Sequence, residues 1–124
     1  ADIVSCDYDI CDDNGQMIGC RRPPRHIGRW MMHFTNWLPT SMTIVRASLV
    51  GARQMPDIRR RQDYAYWLGL FAQNKGVKCV VVPQVCGGYR RRAGSLSSGR
   101  WQNLKANYAM FYDYVGRYTR CRCR

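Results

Sequence analysis

The sequence contains no Glu, and only 3 of its 20 basic Lys and Arg residues are Lys. All 8 acids are Asp, set against 17 Arg, and the formal net charge is +12. A chain so poor in negative charge attracts polyanions whatever its function. His is scarce too: His26 and His33 stand apart from every Cys. None of the seven Cys forms a Cys-x-x-Cys pair, so the usual spacing of a structural zinc site is missing. An odd number of Cys cannot pair fully within one chain. The expectation is reduced thiols packed as small apolar groups, as in a cytoplasmic protein.

Long apolar runs are also missing. The longest, Cys79 to Pro83, is far short of the ~20 residues that cross a bilayer. The opening Ala1-Asp2-Ile3-Val4 has neither the basic stretch nor the apolar run of a signal peptide. A strand-like start without Met leads us to expect a cut chain.

What is present suits one folded domain. The 124 residues can bury a core, and 46% of them are hydrophobic, which excludes a disordered chain. Ile3 to Ile10 reads as a strand, and Asn14-Gly15 before Gln16–Cys20 is a hairpin signal, because both turn residues tolerate positive φ. Pro23-Pro24 keeps the basic connector Arg21–Arg25 out of a helix. Trp30, Met31 and Phe34 have helical spacing, Ser41–Arg46 alternates as a strand would, and Ala47–Ala52 reads as a helical turn.

The clearest period is Tyr64, Trp67, Leu68 and Phe71, one apolar helical face stopped by Asn74-Lys75-Gly76. Val77–Val82 reads as a buried strand ended by Pro83, with a second short strand over Gln84–Arg92. Ser95–Ser98 offers a helix cap, and Trp101, Leu104, Tyr108, Phe111 and Val115 form a stripe expected to pack on the sheet. The expected class is α/β or α+β: a small mixed sheet with an N-terminal hairpin, one short helix and two longer ones.

The order of these motifs carries a resemblance. Met55-Pro-Asp-Ile-Arg-Arg-Arg-Gln-Asp-Tyr-Ala-Tyr-Trp-Leu-Gly-Leu resembles the second half of bacterial family 2 glycosyltransferases. Val80-Val-Val-Pro-Gln-Val and Tyr89-Arg-Arg-Arg-Ala-Gly-Ser-Leu-Ser-Ser follow in the family's order. Upstream, Asp2-Ile-Val-Ser-Cys-Asp-Tyr-Asp-Ile resembles the hairpin after the family's metal-binding Asp-x-Asp, and Pro39-Thr-Ser-Met-Thr-Ile-Val-Arg the strand leading to the acceptor region.

The resemblance implies residues 1–118 as the acceptor-side half of a GT-A domain; residues 119–124 read, from their own composition and terminal position, as a basic, disordered tail. It implies sugar transfer with inversion, from a nucleotide-sugar to a hydroxyl of a saccharide or lipid-linked acceptor. It also implies a divalent metal, magnesium or manganese, in the full-length enzyme. The donor-binding half and its Asp-x-Asp lie outside this sequence, so no metal and no activity are expected of the chain alone. An exposed half-domain surface would make it a homo-oligomer.

Within that resemblance Asp63 takes the place of the general base. A base is needed to remove the proton of the attacking hydroxyl, and the first turn of a helix holds and favours a carboxylate. Gln62 stands where the family has a further acid. Arg59, Arg61, Arg90 and Arg92 are the candidates for donor phosphates or the acceptor, and Trp37 for the acceptor cleft. Trp67 and Trp101 read as core and His33 as a partly buried helix residue.

Asp7-Tyr8-Asp9 mimics Asp-x-Asp, and alternate strand residues share a face. Its position after the true motif makes these two acids solvent-facing edge residues instead. Two other classes compete: a basic nucleic-acid module, for which no zinc, RNA-recognition or helix-turn-helix pattern is present, and a non-catalytic assembly domain.

Overall fold

In the computed structural model, residues 1–92 and 100–112 are described, with the side chains of 100–103 left aside. Strand β1 (Ile3–Cys11) is central in a five-stranded mixed sheet with β2 (Met17–Arg21), β3 (His26–Ile27), β4 (Ile44–Val45) and β5 (Cys79–Arg90). The order is β2-β1-β5-β3, and β4 pairs with β1. The β1–β5 pair is parallel, and the other pairings are antiparallel. Helices α1 (Arg29–Phe34), α2 (Ala47–Val50), α3 (Gln62–Gln73) and α4 (Arg100–Met110) complete a small α+β domain. The Ser95–Ser98 cap, Val115, the tail with Cys121 and Cys123, and the Trp101 side chain lie outside what is described.

The hairpin forms where the sequence places it, by a different device. Gly15 has φ 82°, whereas Asn14 does not take positive φ. Asp12 organises the turn, its Oδ1 accepting from the backbone N–H of Asn14 and of Gln16 at 2.9 Å each.

Pro83 does not end β5. The strand runs on to Arg90, and the pairing with β1 shifts between Val82 and Val85, opposite Cys6 and Asp7. A bulge tolerates a residue without an N–H. Antiparallel β3 reaches only Cys79 and Val80, so that missing donor breaks no ladder on the other edge. The expected strand over Ser41–Arg46 is instead a 3₁₀ turn at Thr40–Met42 followed by the two-residue β4.

Helix α3 is the centre of the core. Tyr64 to Phe71 are all buried, so the helix is enclosed on every side and not along a single face. Ile3, Ile27, Met32, Leu38, Cys79 and Val81 pack in the same cluster. Burial pushes the Cys79 thiol up to about 12, which keeps it a neutral apolar group. The five described cysteines are all free; Cys6 and Cys79 are buried, whereas Cys20 and Cys86 are exposed.

The expected α4 stripe does not lie on the sheet. Leu104 and Tyr108 are exposed, and the helix docks by its end: Met110 is buried, and the Phe111 ring meets Tyr64 edge-on at 5.9 Å and His33 at 6.1 Å. In α1 it is Met32 that enters the core, while Trp30 and Phe34 point outward. No helix among the described residues is long and apolar enough to cross a membrane.

Candidate functional site

The start of α3 opens on a cleft of about 610 Å³. One wall is the approach to the helix, with Arg59, Arg60, Arg61 and Asp63. Tyr8 of β1 and Tyr89 of β5 form another, their ring centroids 6.3 Å apart. Asn36, Thr40 and Ser41, from the segment between α1 and β4, line the rest with Pro39. Residues far apart in sequence therefore converge on one polar, aromatic-walled hollow, the usual form of a small-molecule site.

Asp63 sits in the first turn of α3 and is half-buried. The Asn36 side-chain amide donates to its Oδ2 at 2.8 Å. The other end of that amide is fixed as well, because Asn36 Oδ1 accepts the Leu38 backbone N–H at 3.1 Å. One end must accept and the other donate, so the amide orientation is determined.

The segment carrying Asn36 is in turn held by α3. Tyr64 donates its hydroxyl to the Met32 carbonyl at 2.6 Å, and Trp67 donates Nε1–H to the Leu38 carbonyl at 2.9 Å. These two bonds bracket Asn36 and tie it to the helix that bears Asp63.

The chain enters α3 through a strained residue. Arg61, at the N-cap, has φ 62° and ψ 27°, and among the described residues it is the sole non-glycine with positive φ. Its Nε is buried without a hydrogen-bond partner. Left-handed backbone at a non-glycine is sparsely populated and tends to cluster at functional sites.

Of the candidates from sequence, the cleft gathers Asp63, Arg59 and Arg61. Arg90 and Arg92 are exposed outside its lining, and their neighbour Tyr89 is the residue that enters it. Trp37 lies outside as well: its Nε1–H is donated to the Met31 carbonyl at 3.2 Å, and the Arg21 guanidinium covers its ring at 5.1 Å. The sequence reading missed Asn36, Thr40, Ser41, Tyr8 and Tyr89. Asn36 accepts the backbone N–H two residues on, and an Asn in such a place is an Asx-turn signal.

The Asp7–Asp9 reading needs correction. Asp7 does not face solvent: it is 4% exposed, and Arg25 grips both its oxygens at 2.7 and 3.0 Å. Arg22 adds contacts at 3.5 Å to Asp7 and 3.8 Å to Asp9. The Arg25 hydrogen bond and charge, with Arg22, hold the Asp7 carboxyl below the ordinary carboxylate range. Tyr8, between the two acids, alternates to the cleft.

A divalent metal does not fit Asp7 and Asp9, whose oxygens already face guanidinium groups. Among the described residues no three His, Cys, Asp or Glu side chains group to hold a metal ion. Arg46 likewise pairs with Asp2 at 3.3 Å, so part of the basic excess is committed inside the fold.

No family model, curated protein or solved structure matches this chain.

Proposed function

We propose that the chain is the acceptor-side half of an inverting glycosyltransferase, with Asp63 as general base. The observation that carries this reading is a carboxylate fixed in a polar cleft by a single amide, its second oxygen not used by that bond. In the proposed reaction that oxygen accepts the proton of an acceptor hydroxyl. The hydroxyl oxygen bonds to the anomeric carbon as the bond to the donor's phosphate oxygen breaks, and a nucleoside diphosphate departs. Asn36 keeps the carboxylate aimed, so a weak base works through position.

The nucleotide-sugar and its magnesium or manganese ion belong, in this reading, to a donor half outside these residues. The free side of the sheet supports it: β4 pairs only with β1 among the described residues, and its Ile44 is 75% exposed. The exposed Ile44 side chain is apolar surface that a covering partner would bury. Without the donor half, the chain is inactive and uses such surface to self-associate.

The test is to express the whole reading frame that encodes this chain and assay it with a panel of nucleotide-sugars and saccharide acceptors. Metal-dependent release of nucleoside diphosphate, coupled to an inverted glycosidic product, supports the proposal. Absence from that frame of a nucleotide-binding half with an Asp-x-Asp after a strand would end it.

A further inference from the structure

We propose that the cleft takes an acidic saccharide as acceptor, its anionic group on Arg59 and Arg61 and its ring against Tyr8 and Tyr89. The inference rests on Asp63 being the base and names the class of molecule that the base acts on. Arg59 and Arg61 line the cleft with Asp63, and that carboxylate is engaged by an amide. Among the described residues the ion pairs join Arg22 and Arg25 to Asp7, Arg22 to Asp9 and Arg46 to Asp2; none involves Arg59 or Arg61.

Arg61 adds an independent sign. Its Nε is a buried donor without an acceptor, on a backbone held in the left-handed region. With its Nε shut off from solvent, the guanidinium is held in place on a residue that lines the cleft, so an anion there would meet a fixed, charge-assisted donor. A phosphate ester and a carboxylate both suit a guanidinium fork.

A bare anion would leave the rest of the cleft unused. The Tyr8 and Tyr89 rings, tilted by 54°, offer an apolar surface to the C–H face of a sugar, with Thr40 and Ser41 hydroxyls available to its hydroxyl groups. The hydroxyl that Asp63 deprotonates belongs to the acceptor. Arg61 is two residues from Asp63 in the same cleft, within reach of an anion carried by that same molecule.

The test is NMR titration of the 124-residue chain at physiological ionic strength with glucuronate, glucose 6-phosphate, glucose and inorganic pyrophosphate. The acid sugars should shift Arg59, Arg61, Tyr8 and Tyr89 together and bind about tenfold or more tighter than glucose. The glucuronate and phosphate arms decide between the two anions. Arg59→Ala and Arg61→Asn should each reduce the advantage of the acid sugars; Asn enters the left-handed region readily, so the backbone is kept. Arg29→Ala, at an exposed arginine of α1, should leave it unchanged.

Equal binding of glucose and the acid sugars in the cleft would overturn this proposal while leaving an acceptor cleft. Pyrophosphate preferred at Arg59 and Arg61, with both tyrosines unmoved, would overturn it by assigning the arginines to a donor diphosphate. No saccharide in the cleft would overturn it together with the acceptor reading.

Discussion

Asn36 and Asp63 lie 27 residues apart in sequence and meet through a single hydrogen bond of 2.8 Å from amide to carboxylate. The contact joins a loop to the first turn of the core helix, and its far end is fixed by the Leu38 N–H. Asn36 is thus a positioning residue for the proposed base. In the complete enzyme, Asn36→Ala should lower kcat by about tenfold to a hundredfold with KM little changed, because orientation is lost and binding is not. Equal kcat in the variant and the parent would remove Asn36 from that role.

The bracket around Asn36 should be visible in stability. Tyr64→Phe removes a buried hydrogen bond to Met32 and should cost about 0.5–1.5 kcal/mol in urea unfolding. Trp67→Ala opens a cavity in the core and should cost about 3–5 kcal/mol. Both changes should also loosen the Asn36 segment, read as faster amide exchange at Leu38.

Asp7 makes the fold acid-sensitive. Its pKa is lowered in the folded state by Arg25 first and then Arg22, so its contribution is present above the ordinary carboxylate range. The contribution should disappear as pH falls below about 4 through the lowered value. Asp7→Asn should flatten this part of the stability–pH curve between neutral and acid pH. An unchanged acid limb would show that the Arg25 clamp does not act through Asp7.

The left-handed conformation of Arg61 predicts an order among substitutions. Arg61→Asn should be nearly neutral for stability, whereas β-branched Arg61→Val should cost about 1–2 kcal/mol more, measured by thermal or urea unfolding. Equal stability of the two variants would mean that the backbone is not held at this φ in solution.

The open β4 edge, with Ile44 exposed, leads us to expect a dimer or larger assembly of the isolated chain. Light scattering across a wide concentration range should show mass rising above 14.5 kDa, and Ile44→Lys should lower it. A constant monomer mass would contradict the expectation.

Local signals were legible wherever the chain's own chemistry decided the outcome. The Asn-Gly hairpin, the Tyr64–Phe71 helix and the Asn74–Gly76 stop stand where the pattern places them, and the mixed sheet follows from the alternation of elements. Tertiary context decided the rest. The apolar period of α4 pointed to the sheet, yet only the Met110–Phe111 end finds the core. Pro83 stays in β5 because a bulge absorbs it, which depends on a partner strand about eighty residues upstream. Within the site, Asp63, Arg59 and Arg61 could be picked from one segment. Asn36, Tyr8 and Tyr89 become site residues only when α3, β1 and β5 bring them together.

The role of Asp63 is tested most directly by Asp63→Asn in the complete enzyme, the amide keeping shape while removing the proton acceptor. Sugar transfer should fall by about 10²–10⁴-fold with donor binding unchanged. Transfer within a few-fold of the parent would contradict the assignment of Asp63 as the base.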